Sequence, residues 1–234
     1  MKRALLLVFA ACTGSRTEAA PAATGDHAPS IDLAPVTTDA LCVTKGELAG
    51  SSVAVPTMRA YARGSGGDAA QLVFRHRGES QDSRALASGD VRRQIGLKLR
   101  AQDSCNVVYV MWRLDPRPKV DVSIKVNPAM STHEQCGADG YTKVKPRAKY
   151  FIPAYEFGST HTLRAEIIGN DVYAWLDGKL AFQGRLPEAA RALAGPAGVR
   201  SDNVAFDLVE LAAPKSASDA DAKPPACKRE GGSD

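Results

Sequence analysis

The chain has 234 residues, of which 44% are hydrophobic and 24% charged, a composition that excludes a wholly disordered protein. The formal net charge of +4 is too small to favour nucleic acid as a partner. The length allows one or two domains. The longest apolar run, residues 4–11, is much shorter than the roughly 20 residues that cross a bilayer.

The chain opens with the order of segments found in a secretory signal peptide. Residues 1–3 supply positive charge, residues 4–9 form a short apolar core, and two alanines follow. This order predicts a signal peptide over residues 1–11. The protein is therefore expected to be exported.

The sequence Phe9-Ala10-Ala11-Cys12 resembles the lipobox of bacterial lipoproteins. The resemblance implies that Cys12 is diacylated and becomes the N-terminus, so that the membrane is a partner through a lipid anchor. Thr13, in place of Asp, implies an outer-membrane or cell-surface location. The alternative is a free periplasmic or secreted protein, cleaved for example after Ala20.

Four further cysteines are consistent with export, because an even number in an oxidising compartment predicts two disulfides. Three pairings are possible, and we favour Cys105–Cys136 and Cys42–Cys227. The first would bracket a predicted hairpin, and the second would tie the start of the domain to the tail. A zinc site is the weaker alternative, since the chain has no Cys-x-x-Cys pair.

Composition divides the mature chain into three parts. Residues 12–40 are rich in Ala, Thr, Ser and Pro without periodicity, which predicts a lipid-anchored flexible tether. Residues 214–234 have a similar composition and predict a mostly disordered tail. The folded domain is expected over residues 41–213.

Within that domain the dominant pattern is alternation of apolar and polar residues, which predicts short antiparallel strands. Turn residues separate these strands, and only residues 187–193 favour a helix. The predicted fold class is therefore all-β, an antiparallel two-sheet β-sandwich or a barrel, with one short helix.

Two predicted hairpins assign side chains to faces. In the first, Trp112 is expected opposite Val122 and Arg113 opposite Asp121, which separates an apolar face from a polar one. The second turns at Asp177-Gly178, a type I′ signal. One face of this hairpin should carry Tyr173, Trp175, Leu180 and Phe182, either as core or as a platform for sugar rings.

Three stretches together resemble the concanavalin A-like jelly rolls, which include laminin-G-like and lectin/glucanase domains. They are His161-Thr-Leu-Arg-Ala-Glu-Ile-Ile-Gly169, Val172-Tyr-Ala-Trp-Leu-Asp-Gly-Lys179 and the glycine-rich residues 195–207. The resemblance implies a jelly-roll sandwich. Laminarinase-like members carry Glu-x-Asp-x-x-Glu, and no Glu-x-Asp occurs in this chain, which disfavours an enzyme.

The candidate ligand site is the long loop of residues 127–141 together with the polar face of the first hairpin. The candidate ligand-binding residues are Tyr109, Arg113, Lys125, Asn127, His133 and Tyr141. The alternative is a surface loop held by a disulfide with no ligand. Basic residues outnumber acidic ones by more than two to one over residues 92–149, which suits an acidic polysaccharide, anionic lipid head groups or simply a solvated face.

A calcium site is the candidate metal centre, because Asp202, Asn203 and Asp207 place three oxygen-bearing side chains close together. The first two are also common turn residues. No Gly-x-Ser-x-Gly elbow supports a Ser-His-Asp triad.

These features predict a cell-envelope lipoprotein whose jelly roll is a non-catalytic binding or structural module, with carbohydrate as the leading ligand. The alternatives are a glycan-processing hydrolase of the same fold and a purely structural surface protein.

Overall fold

The computed structural model describes residues 28–216, apart from 87, 116, 154 and 155, together with Cys227 and Arg229. Two antiparallel seven-stranded sheets enclose a hydrophobic core, so the predicted two-sheet β-sandwich is confirmed. No helix in the described part of the chain has the length and apolarity needed to cross a membrane. The predicted signal peptide and Cys12 lie outside the described residues.

The described residues contain fourteen strands. In chain order they are β1 (Ala34–Pro35), β2 (Leu41–Lys45), β3 (Ser52–Val53), β4 (Thr57–Ala62), β5 (Ala69–Glu79), β6 (Arg93–Leu99), β7 (Val107–Asp115), β8 (Lys119–Lys125), β9 (Tyr141–Lys143), β10 (Thr160–Ile168), β11 (Asp171–Leu176), β12 (Lys179–Arg185), β13 (Gly198–Asp202) and β14 (Val204–Ala213).

We name the two sheets the front and the back sheet. The front sheet has the strand order β2-β4-β13-β6-β7-β8-β9. The back sheet has the order β1-β14-β5-β10-β11-β12, with β3 also paired to β14. Each sheet mixes strands from distant parts of the chain, so sequence neighbours alone do not define either outer face.

The core lies between the sheets and is filled by alternate residues of each strand. Trp112 and Phe74 are completely buried, and their rings meet edge to face with centroids 6.0 Å apart. Val120, Val122 and Ile124 point inward, each at most 8% exposed. The predicted apolar face of the first hairpin is therefore the core face, as period-two alternation requires.

The register of the first hairpin differs from the predicted one by two residues. Val110 pairs with Val122 and Arg113 with Lys119, whereas the prediction paired Trp112 with Val122 and Arg113 with Asp121. The last pair before the turn is Arg113–Lys119, with five residues between the two partners. A shift of two preserves the pleat, so every side chain keeps its predicted face.

The second hairpin corrects the predicted face of Phe182. The turn pairs Leu176 with Lys179 as expected, but a β-bulge between Ala174 and Trp175 then shifts the register. Phe182 consequently lies opposite Ala174 and joins the core. Tyr173 and Trp175 remain stacked on the outer face of the back sheet, 5.9 Å apart.

The helices are short. A 3-10 helix spans Glu188–Ala192, inside the range predicted as helical, and another spans Thr38–Ala40. A four-residue α-helix, His133–Cys136, lies in the loop of residues 127–141. That helix is too short to give a periodic signal, and sequence analysis placed it in a loop.

The folded part of the chain begins before residue 41, the boundary expected from composition. β1 pairs with β14, and the amide of Val36 donates to the carbonyl of Leu211 at 2.8 Å. Residues 34–36, within the predicted tether, therefore lie against the back sheet. Their composition is that of a linker, but the backbone of an extended segment can pair with a sheet edge whatever its side chains are.

Both predicted disulfides are present. Cys105–Cys136 and Cys42–Cys227 have Cα–Cα distances of 5.9 and 5.4 Å. The second ties Cys227, in the predicted disordered tail, to β2. Disulfides of this kind point to an extracellular or periplasmic protein.

Candidate ligand-binding trough

The outer face of the front sheet forms the floor of a cavity that we call the trough. Register places one row of outward side chains across four strands, from Arg59 on β4 through Arg200 on β13 and Gly96 on β6 to Met111 on β7. Asp121 on β8 continues this row. The cavity has a volume of about 280 Å³, near the lower end of the range for small-molecule sites.

One wall of the trough is the loop between β5 and β6. Leu86, Ser88 and Arg92 line the cavity from this side. The side chain of Asn203 fixes both ends of the loop: it accepts from the Arg84 amide at 2.7 Å and donates to the carbonyls of Arg84 and Arg92. Asn203 has a left-handed backbone, φ +57°, which asparagine tolerates better than most residues.

The opposite wall is the loop of residues 127–141, which contributes His133, Gly137, Ala138 and Tyr141. The Cys105–Cys136 disulfide anchors it to the sheet. The Lys125 ammonium donates to the Gly137 carbonyl at 2.6 Å, and the Asn127 amide donates to the Asp139 carbonyl at 3.0 Å. This wall is therefore ordered by several independent contacts.

Cationic and aromatic side chains alternate along the floor toward this wall. The guanidinium of Arg200 lies 4.8 Å from the ring centroid of Tyr109. Tyr109 stacks with Tyr141 at 6.1 Å, and the Lys125 ammonium lies 5.2 Å from the Tyr141 ring. Cation–π contacts of this kind hold the rings in place, and Tyr141 leaves 45% of its surface exposed at the rim.

Arg200 is fixed as a buried cation. It donates through Nε to Asp202 at 3.0 Å, and Gln94 donates to the same carboxylate oxygen at 2.7 Å. Burial alone would lower the pKa of Arg200, but the charge of Asp202 and the neighbouring tyrosines outweigh it and raise that pKa. Arg200 thus carries a positive charge.

Three cations surround Asp121, which lies on β8 at the far end of the floor from Arg59. Arg113 and Lys143 lie 2.6 and 2.7 Å from its carboxylate, and Lys119 lies 3.4 Å away. Burial opposes ionisation of Asp121, but the hydrogen bond and charge of Lys143 and the charges of Lys119 and Arg113 hold its pKa below the ordinary value. Burial lowers the pKa of Arg113, partly offset by Asp121.

The trough brings together some of the predicted ligand-binding residues. Tyr109, His133 and Tyr141 line it directly. Arg113 acts through Asp121, while Lys125 and Asn127 hold the second wall.

The residues predicted from the sequence do not include Arg59, Arg92, Gln94 and Arg200, which lie on the floor and wall. Three of them lie on strands far apart in the sequence that only register makes neighbours. One sequence signal was available, because Arg59 and Arg200 each stand between small or apolar residues in a strand.

The candidate calcium residues do not converge. Asp202 binds Arg200, Asn203 holds the β5–β6 loop, and Asp207 accepts from the Ser52 hydroxyl at 2.7 Å on another sheet. Among the described residues, no group of three or more His, Cys, Asp or Glu side chains is arranged to hold a metal ion.

A Ser-His-Asp relay lies outside the trough, next to the turn of the second hairpin. Ser159 Oγ is 2.7 Å from His161 Nε2, and His161 Nδ1 is 2.8 Å from Asp177. Ser159 Oγ also accepts from the Glu156 amide and contacts the Glu156 carbonyl, and the His161 ring packs edge-on against Trp112. These contacts hold the loop before β10 against the hairpin, so we interpret the relay as structural.

Comparison with known proteins gives a likeness of fold. No protein-family model matches the sequence, and no curated protein matches it. A carbohydrate-binding module, CBM66 from Bacillus subtilis, matches 72% of this chain and 91% of its own, with 12% identity and a TM-score of 0.50.

Two further solved structures match the chain with lower TM-scores. A tetrameric galectin from the sponge Cinachyrella matches 68% of this chain and 99% of its own, with 14% identity and a TM-score of 0.43. The Crh5 transglycosylase matches 79% and 83%, with 13% identity and a TM-score of 0.44. The likeness to the Bacillus module shows a shared β-sandwich fold.

Proposed function

We propose that the protein is an exported cell-envelope lipoprotein whose jelly-roll domain is a non-catalytic carbohydrate-binding module, with the trough as its binding site. The observation that carries the proposal is the trough itself: a walled concave cavity with an exposed aromatic ring at its rim and fixed polar side chains on its floor.

The chemistry of the trough matches that of a sugar. The C–H face of a pyranose packs on an aromatic ring, and Tyr141 offers such a ring, supported from behind by Tyr109. Sugar hydroxyls need donors and acceptors in fixed positions. Gln94 and Arg200, both held by Asp202, provide them without reorganisation.

The envelope location is supported by the two disulfides and by the lipobox-like residues 9–12. Two acyl chains on Cys12 would give stable anchoring. Replacing Cys12 by Ser should move the protein from the membrane fraction to the soluble fraction. Unchanged partitioning would contradict the lipid anchor.

The binding proposal is tested with a glycan array and two matched variants. Tyr141→Ala removes the rim ring and should weaken binding about tenfold, as expected for the loss of a stacking surface. Tyr173→Ala makes the same change on the outer face of the back sheet and should leave binding unchanged. Silence across the array, or equal loss in both variants, would overturn the proposal.

A hydrolysis assay tests the proposal that the domain is non-catalytic. Purified protein should release no reducing sugar from any glycan that it binds. Release that Tyr141→Ala abolishes and Tyr173→Ala does not would show that the trough is an active site.

A further inference from the structure

The floor of the trough places two arginines side by side. Arg59 and Arg200 are direct partners in the register of β4 and β13, and they are only 7% and 8% exposed. Like charges directly opposite each other on a sheet destabilise it. An anion bound between the walls would lie next to both arginines.

The carboxylates near this pair already have cationic or amide partners. Asp202 accepts from Arg200 and Gln94, and Asp121 is shared by Arg113, Lys119 and Lys143. Among the described residues, Asp121 is the only carboxylate that lines the cavity. The cationic residues that line it are Arg59, Arg92, Arg200 and Lys143. Arg92 is itself paired with Asp90. The cations around the cavity, which include Arg113 and Lys119, still outnumber Asp90, Asp121 and Asp202, so its potential is positive.

Guanidinium groups suit particular anions. Their planar fork of donors binds carboxylate and sulfate in pairs of parallel hydrogen bonds. Beside them, Met111 and Tyr109 give the floor an apolar part that fits a sugar ring.

We infer that the trough selects acidic glycans, in which the carboxylate or sulfate of a sugar lies over the Arg59–Arg200 pair while a sugar ring packs against Tyr141. This inference rests on the proposed carbohydrate-binding function and names its ligand class. A membrane surface fits the same charge less well, since a planar bilayer cannot reach arginines on the floor of a walled cavity, whereas one sugar residue can.

The test compares polymers at about 0.15 M salt, where exposed charges are largely screened. The full chain is titrated with polygalacturonate, chondroitin sulfate, dextran, polyglutamate and vesicles containing anionic lipid. We expect binding to one or both acidic glycans, at least about tenfold tighter than to dextran, since a charge-assisted bidentate contact supplies that ratio. Polygalacturonate carries only carboxylates, whereas chondroitin sulfate also carries sulfates. Comparing the two shows which group the trough recognises.

Two variants assign the effect to the trough. Arg59→Gln removes one of the paired charges, and Arg92→Gln removes a charge from the wall, where the fold depends on it less. Each should weaken acidic-glycan binding about tenfold and bring it toward the affinity for dextran. Arg185→Gln makes the same change at an exposed position on the back sheet and should have no effect.

The outcomes separate this inference from the proposed function. Binding to dextran as tight as to the acidic glycans would overturn the acidic specificity and leave carbohydrate binding standing. Equal binding to polyglutamate or to the vesicles would overturn the inference, because charge alone would then be recognised. Absence of binding to any glycan would overturn both.

Discussion

The two outer faces of the sandwich carry similar residue types in very different surroundings. On the front sheet, Arg59, Gln94 and Arg200 are less than 9% exposed, whereas on the back sheet Arg75 and Arg77 face solvent. The same alternation of two places all five side chains outward. What differs is the chain around them, because two loops rise on either side of the front sheet and none of the described loops does so over Arg75 and Arg77.

The back sheet has an exception where the N-terminal segment covers it. Glu166 is completely buried there, and its carboxylate accepts from Arg164 at 2.6 Å and from the Ser30 amide at 3.1 Å. Arg164 also donates to the Ile31 carbonyl at 2.6 Å. Glu166 is therefore buried where another segment of the chain covers it and completes its hydrogen bonds.

The largest expected effect distinguishes the two disulfides. Replacing both Cys105 and Cys136 by Ser should lower the free energy of unfolding by about 3 kcal/mol and weaken glycan binding, because the second wall loses its anchor. Replacing Cys42 and Cys227 should lower stability without changing binding by the folded protein. Denaturant unfolding and binding titrations measure the two effects. Intact binding in the first variant would show that the wall does not need its disulfide.

The next effect concerns the N-terminal segment. Glu166→Gln should destabilise the protein by about 2 kcal/mol, because hydrogen bonds to a buried charge are lost. It should also make the chain around residue 30 sensitive to limited proteolysis while leaving the trough intact. Glu210→Gln, at an exposed position on β14, serves as the control. If Glu166→Gln resisted proteolysis near residue 30 as well as the unmodified protein does, this role of Glu166 would be contradicted.

A smaller effect of pH is expected from Asp121. Because its pKa in the folded protein lies below the ordinary 3.8, its contribution is complete above that pH and is lost as the pH falls further. Asp121→Asn should cost about 1 kcal/mol at neutral pH, and the difference from the unmodified protein should shrink below pH 3.8. Denaturant unfolding across this range measures it. A difference that is constant with pH would show that the charge of Asp121 contributes nothing.

The smallest effect tests the Ser159–His161–Asp177 relay. Ser159→Ala should cost about 0.5–1 kcal/mol, as for one partly buried hydrogen bond, and a fluorophosphonate probe should not label the unmodified protein. Labelling at Ser159 that is lost in His161→Gln would contradict the structural reading and identify a second, catalytic site.

The two hairpins show which side-chain orientations can be predicted from sequence and which cannot. The inward positions of Val120, Val122 and Ile124 follow from alternation alone, and an error of two residues in register does not change them. A bulge is not encoded in any simple periodicity, so the face of Phe182 was predicted wrongly.

The trough was only half predictable for a related reason. Tyr109, His133 and Tyr141 lie on or beside one hairpin, so neighbouring sequence brings them together. Arg59 and Arg200 are 141 positions apart and meet only because β13 inserts between β4 and β6. No local pattern predicts that insertion.

By itself the sequence determined the class of fold and the inward face of most long strands, because alternation acts locally. It left three cysteine pairings open and favoured the one that the structure contains. Tertiary structure alone decided which outer face became a trough and which charges lie on its floor. Burial of a polar side chain depends on what covers it and on which distant strand lies next to it, and both are set by the order of strands in the folded sheet.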